Sequence, residues 1–308
     1  MSTMSSSENQ EPDLSRLEGR AVMFDVLKGG YGKSALSLNL ADRLAARGHD
    51  VLYLDLDPNG HVSFALGYDD VYHDGMHDYG FVALDRKMYG KEDAEPEHMI
   101  YETDFEFDFV PSFDDMESFE AALKDEPRKE EVLAREFLYP LYDSGEYDYF
   151  IMDGGGERSI IADNGFYAGK SAILPLAPGE EALSAMRRTW NRVVQPLQKN
   201  TSFEVLALVP NLLSKRIDHQ NDDRVLLERL NASDRFSELL PSFARFTEED
   251  WETVDTGEYT DLPGIREREG ISGGVSNGMP VATYDPECDQ IVHFDELARI
   301  VEQGGVDR

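Results

Sequence analysis

Gly32, Lys33 and Ser34 stand together where a short apolar run gives way to a helical one, inside Lys28-Gly-Gly-Tyr-Gly-Lys-Ser34. Glycines let the backbone turn so that successive N–H groups face an anion, and a helix beginning at the same place adds the positive end of its dipole. In that setting Lys33 would reach the β- and γ-phosphates of a nucleotide, and the Ser34 hydroxyl would ligate Mg²⁺. The strict spacing G-x-x-x-x-G-K-[ST] is not met, because Leu27 occupies the first glycine position. A chance glycine turn is the bland alternative. The Lys-Ser pair at a strand-to-helix junction argues against it. Other chemistry-bearing residues carry less. His73 and His77 have i,i+4 spacing but no further evident ligand. Trp190 and Trp251 read as packing residues, and Ser159 and His219 have no triad spacing.

The elements around the loop are those needed to position it. Ala21–Val26 reads as a buried strand, and Leu36, Leu40 and Leu44 mark one face of a helix ending at Arg47-Gly48. Val51–Asp55 is a second buried strand, so strand, loop, helix and strand form a βαβ unit with a parallel sheet. Further strands are expected at Phe105–Val110, Tyr147–Asp153, Ser171–Leu176 and Val205–Val209. Helices are expected near 114–124, 128–143, 180–198, 219–231 and 294–303. The alternation predicts an α/β fold: a single doubly wound, mostly parallel sheet flanked by helices. Residues 1–19 read as a flexible acidic tail, 20–308 as the domain, with insertions near 67–104 and 236–262.

The loop resembles the deviant Walker A motif, KGGxGK[ST], of ParA/MinD-type P-loop ATPases, with Lys28 as its mark. The resemblance extends over about residues 20–303 in the family's order. Asp55-Leu-Asp-Pro-Asn-Gly60 is similar to the family's first switch, Tyr147–Asp153 to its Walker B strand, and Val209-Pro-Asn211 to the strand end that reads adenine. Ala172–Glu181 resembles the strand and turn after the second switch. Leu262–Arg268 resembles the IPxxxxxxEA loop, and Gly278–Val281 with Tyr284–Pro286 the closing GxPV…YDP segment. The resemblance implies ATP/ADP and Mg²⁺ as cofactors. Nucleotide would be held by Gly29, Gly30, Tyr31, Gly32, Lys33, Ser34, Ala35, Asn211 and Pro263. Mg²⁺ would be held through Ser34, Asp57 and Asp153, with Lys28, Lys33 and Asp57 catalytic. Lys28 would serve the partner's phosphates across a sandwich homodimer, much as an arginine finger stabilises transferred charge. The sequence departs from the family at its second switch, DxPP, which here reads Asp153-Gly-Gly-Gly-Glu157, and at Tyr31 in place of a small aliphatic. Three glycines predict a flexible switch.

The branch is argued from the tail and the cations. Phe294–Gln303 lacks the basic face that a membrane-binding helix needs, and is expected to pack on the sheet through Leu297, Ile300 and Val301. Cys288 alone argues against iron–sulfur carriers and nitrogenase-type reductases. Non-specific DNA contact is expected from Lys215, Arg216, Arg224, Arg266 and Arg268, with Arg229 on the same helix as Arg224. The competing reading makes these residues ion-pair partners of neighbours such as Asp222, Glu228 and Glu267.

Composition sets the outer bounds. The chain has 308 residues, 41% of them hydrophobic, which excludes a disordered protein. It shows no apolar run of the ~18 residues that a membrane span needs, and no secretory signal is expected. Its 29 basic and 62 acidic residues leave a net charge of −33, read as adaptation to a high-salt cytoplasm, where repulsion is screened. The leading expectation is a ParA-like ATPase that positions or segregates DNA cargo, is stimulated by an adaptor protein, and is cytoplasmic and nucleoid-associated. Alternatives are a MinD/McdA-like positioning scaffold without direct DNA contact, and a P-loop kinase or synthetase.

Overall fold

The computed structural model describes residues 12–74, 96–114, 116–214, 222–256 and 263–306. Strands β1 (Ala21–Phe24), β2 (Val51–Leu56), β3 (Tyr101–Glu102), β4 (Asp108–Val110), β5 (Tyr149–Gly154), β6 (Ser171–Leu176) and β7 (Glu204–Pro210) form one sheet. Their spatial order is β3-β4-β2-β5-β1-β6-β7. All pairings are parallel except β3 with β4. Parallel strands need crossover connections, and the helices that supply them cover both faces.

Strand periodicity divides the core in two. Met23, Leu52, Leu54, Phe150, Met152 and Leu174 point to one face, under the helices Ile160–Gly169 and Ala182–Thr189. Phe24, Tyr53, Ile151, Ile173 and Val209 point to the other. There α1 (Lys33–Ala45) and the helix Ile291–Gln303 cover them. The latter buries Phe294, Leu297, Ile300 and Val301, as its spacing indicates. Successive side chains of a strand face opposite ways, so near-continuous apolar runs can feed two layers.

Two expectations change. Residues 12–19 are not tail: Leu14–Leu17 forms a 3₁₀ turn with Leu17 fully buried. Leu17 has a seat in the core, Leu14 packs against it and the Asp13 side chain caps the turn; residues 1–11 lie outside the described residues. The strand expected at Phe105–Val110 is reduced to β4. The alternating aromatics before it fold back in a turn whose backbone is held by Thr103 Oγ1, and β3 pairs beside it. The second stretch read as an insertion, 236–262, contains the helix Glu248–Thr256 and buries Leu240 and Ala244. Of the first, the described parts include α2 (His61–Ala65) leading into α3 (Asp69–Asp74), and the 3₁₀ turn Pro96–Met99.

Candidate nucleotide site

The phosphate loop, Asp57 and Asp153 sit at the carboxyl ends of the central strands β1, β2 and β5, where doubly wound sheets place their ligands, and Asn211 follows the edge strand β7. The register sets Phe24 and Asp55 on either side of Asp153. Just beyond β1 the chain turns through Gly32, with φ 73° and ψ 30°, into α1. A Cβ at Gly32 would lie 2.3 Å from Asn211 Nδ2, so glycine is required there by contact as well as by conformation. Asn211 Nδ2 donates to the Tyr31 carbonyl at 2.9 Å, and Leu27 N–H donates to Thr189 Oγ1 at 3.0 Å. The phosphate loop is thereby clamped from β7 on one side and from the helix after β6 on the other. Around Gly29 and Gly30 a Cβ would meet nothing, so this face of the turn is open to a ligand.

The acids lie behind the loop. Asp153 is fully buried, and neither of its carboxylate oxygens has a hydrogen-bond partner. Burial pushes its carboxyl well above the usual range, the Asp55 charge adds to that, and Ser34 and Lys33 oppose it. Two buried orphan oxygens beside a hydroxyl and an ammonium fit a site for a cation with a nucleotide. The donors are all oxygen, which suits Mg²⁺. No group of three or more His, Cys, Asp or Glu residues converges among the described residues, so phosphate oxygens and water would complete the coordination shell. Bound there, such a cation neutralises charge on the phosphates.

Asp57 is nearly buried. Its Oδ1 accepts from Asn59 N–H at 2.9 Å and from Asn59 Nδ2 at 2.8 Å, and its backbone carbonyl accepts from Ser112 Oγ at 2.7 Å. Asp55 carries no role in the sequence reading, yet it organises this segment. It accepts from Ser63 Oγ at 2.7 Å, Ser63 N–H at 3.0 Å and Asp57 N–H at 3.1 Å, and burial raises its carboxyl to about 6. Tyr72 stacks over Gly60 and donates to the Pro58 carbonyl at 2.7 Å. Ser63, Ser112, Tyr72 and Thr189 are supports that sequence reading missed. Each is an ordinary residue made relevant only by a long-range contact.

The glycine run after Asp153 is approached closely by the rest of the site. A Cβ on Gly154 would meet Asp25 Cγ at 2.8 Å, one on Gly155 would meet Asp57 Oδ1 at 3.2 Å, and one on Gly156 would meet Lys33 Nζ at 2.8 Å. These glycines are fitted, not merely permissive.

Lys28 is turned out of its own cradle and ion-paired with Glu181 on the surface. A cavity of about 450 Å³ opens beside the loop, lined by Gly32, Ser34, Ala35, Asn211 and the segment Arg266–Ser272. Tyr31 is buried, and Pro263 is buried with its carbonyl accepting from Arg266 Nη2 at 3.3 Å.

The cations expected to meet DNA are placed differently. Arg266 is 2% exposed and donates to the carbonyls of Ser214 and Pro263; burial lowers its guanidinium to about 10. It cannot reach a DNA backbone without leaving the core. Arg224 pairs with Glu228 and Asp255 and lies over the Trp251 ring, 4.7 Å from its centroid. Arg268 is held bidentately by Asp289. For these two the ion-pair reading is the one observed. Lys215 and Arg216 lie outside the described residues, as do His77 and His219.

Comparison with known proteins adds the family. Residues 19–205 match the model of the AAA domain. The chain is 28% identical over 206 residues to the chromosome partitioning protein ParA of Myxococcus xanthus, covering 66% of this chain and 69% of that protein. It is 23% identical over 291 residues to the chromosome-partitioning ATPase Soj of Treponema pallidum, covering 93% of this chain and 99% of that protein. Among solved structures it resembles a plasmid partition protein from Borrelia burgdorferi bound to AMPPNP. The TM-score is 0.63 at 20% identity, over 92% of this chain and 98% of that one. That likeness shows a shared fold. With the loop, the first switch segment and the matched sequence model in agreement, the chain belongs to the AAA domain family, as a P-loop ATPase of the ParA/MinD type.

Proposed function

We propose that this protein is an ATP-gated dimerising ATPase that positions or segregates DNA cargo. The observation that carries the reading is the placement of its two lysines. Lys33 is buried behind the phosphate loop, whereas Lys28 points outward to Glu181. One ammonium would serve its own phosphates; the other, held by an exposed pair with Glu181, would exchange that pair to serve a second copy. Two polyanionic nucleotides brought to one interface repel unless cations stand between them. In a two-fold sandwich each Lys28 would answer the other subunit's charge. Asp57 would orient the attacking water, and an adaptor protein would complete a slow intrinsic reaction. The relatives named for chromosome partitioning support DNA as the matrix. Exposed Arg229, with Lys215 and Arg216, is left as a candidate for contact, and dimerisation would double them. A high-salt cytoplasm and nucleoid association belong to the same reading.

A second reading is favoured by the arginines. Arg266 is buried, and Arg224 and Arg268 are neutralised by acids. On that ground the dimer would position a protein assembly without touching DNA. Sedimentation of Asp57→Ala with MgATP in molar KCl is expected to show a dimer that Lys28→Ala abolishes. A monomer under those conditions ends the dimer proposal. DNA binding by that dimer at any salt supports the first reading, and its absence at every salt supports the second.

A further inference from the structure

Asp25, just past the end of β1, is fully buried at the centre of the molecule. Its Oδ1 accepts from Val26 N–H at 2.7 Å, and its Oδ2 has no hydrogen-bond partner. A buried carboxylate with an orphan oxygen is costly, and an apolar residue would serve packing better. Such a residue is retained where a site uses it. Its surroundings are three parts of the site. Lys33 and the Gly156 N–H lie close enough to favour its ionised form, and Asp57 is near enough to oppose it.

Gly154 is shaped to the same group. A Cβ on Gly154 would stand 2.8 Å from Asp25 Cγ, 2.9 Å from Asp25 Cβ and 2.6 Å from Met23 Cε. Gly156, at φ 84°, passes so close to the phosphate loop that a Cβ would lie 3.0 Å from the Lys28 carbonyl oxygen. The strand carrying Asp153 therefore runs over Asp25 and against Lys33 at van der Waals distance. A Cβ on Gly154 is the one that would press against Asp25 itself.

We infer that Asp25 is a positioning residue: it holds the Gly154–Gly156 segment in register with the phosphate loop, and Gly154 is the fit to it. The catalytic half of this inference rests on the ATPase reading above. Phosphoryl transfer depends on placement and charge, so a segment displaced by even an ångström would cost turnover far more than it costs binding.

The test uses the full chain and the variants Asp25→Asn, Asp25→Ala, Gly154→Ala and Asp25→Ala/Gly154→Ala. In nucleotide-free protein, hydrogen exchange of a peptide spanning 154–158 is expected to quicken roughly tenfold or more in Asp25→Asn, with the other strands unchanged. The melting temperature of this variant should equal or exceed that of the natural protein, because a buried carboxylate is removed. Its kcat should fall roughly tenfold or more, while ATP affinity by calorimetry stays within about threefold. Gly154→Ala should lose both melting temperature and turnover, and adding Asp25→Ala, which removes the Cγ contact but leaves those with Met23 and the residue 25 Cβ, should restore the first in part and the second not at all. Natural exchange and turnover in Asp25→Asn would overturn the inference. So would a double variant that regains turnover together with stability, since the pair would then be steric only. If the natural protein itself hydrolyses no ATP, the ATPase reading falls, and the exchange measurement still decides the role of Asp25.

Discussion

Asp57 and Asp153 lie at neighbouring strand ends, yet their surroundings assign them different work. Asp153 has both oxygens buried and unpartnered beside Ser34 and Lys33, the setting of a group that waits for a cation. Asp57 is tied to Asn59 in a local turn and stands at the rim of the same site. Asp153→Ala is therefore expected to weaken MgATP binding and to blunt its dependence on Mg²⁺, both read by calorimetry with and without the metal. Asp57→Ala should bind MgATP nearly as the natural protein does and lose turnover by roughly 100-fold or more, the scale on which positioning contributes to catalysis. Equal turnover in Asp57→Ala would remove it from the reaction.

At the scale of elements, precision comes from close approaches between segments far apart in sequence. The helix Ile160–Gly169 ends against β1, and a Cβ on Gly169 would come within 1.6 Å of the Ala21 carbonyl oxygen. That oxygen is backbone in a central strand and cannot swing aside. Gly169→Ala should push the helix off the sheet and cost at least the ~1–3 kcal/mol of core overpacking. In a domain of this size that lowers the melting temperature by several degrees or more, at about 2–4 °C per kcal/mol. Calorimetric scanning checks it. Because β1 feeds the phosphate loop directly, the same variant should also bind nucleotide less tightly.

For the whole molecule the buried acids and the surface acids pull stability in opposite directions with pH. Burial raises Asp25 to about 7 and Asp55 to about 6. An unfolded carboxyl titrates near ~4, so the folded protein holds these protons more tightly. Their contribution is complete below about pH 4 and is lost as pH rises through about 6 to 7. Glu302 and Asp289 behave the other way. Hydrogen bonds from Arg47 and from Arg268 hold them below the usual range, so their contribution is present above about pH 4 and lost as acid is added. Thermal stability of the nucleotide-free protein should therefore peak in mildly acidic buffer and decline toward pH 8. Asp25→Asn should raise the melting temperature more at pH 8 than at pH 5. A flat profile for both proteins would show that neither buried acid titrates as its surroundings require.

The sequence by itself determined the sheet, the phosphate loop and the acids at the strand ends. Those depend on short-range patterns: apolar runs for buried parallel strands, and glycines with Lys33 and Ser34 at one junction. Legible too was the closing helix, because the spacing of Leu297, Ile300 and Val301 is a property of one segment. What only the tertiary structure decided were the relations between segments. Arg266 looked like a surface cation beside Glu267 and Arg268, and nothing local shows that its guanidinium lies against Ser214 and Pro263. Gly154, Gly155 and Gly156 looked like freedom because conformational tolerance is all that a glycine displays in sequence. Folding brings Asp25, Asp57 and Lys33 to within contact of where their side chains would be, and the same residues become a constraint. Leu17, one of two leucines in a polar stretch, is fixed by a core built from segments far along the chain. Charge and local pattern are written along the chain, whereas burial is not, because it depends on which distant atoms arrive beside a residue once the sheet has closed.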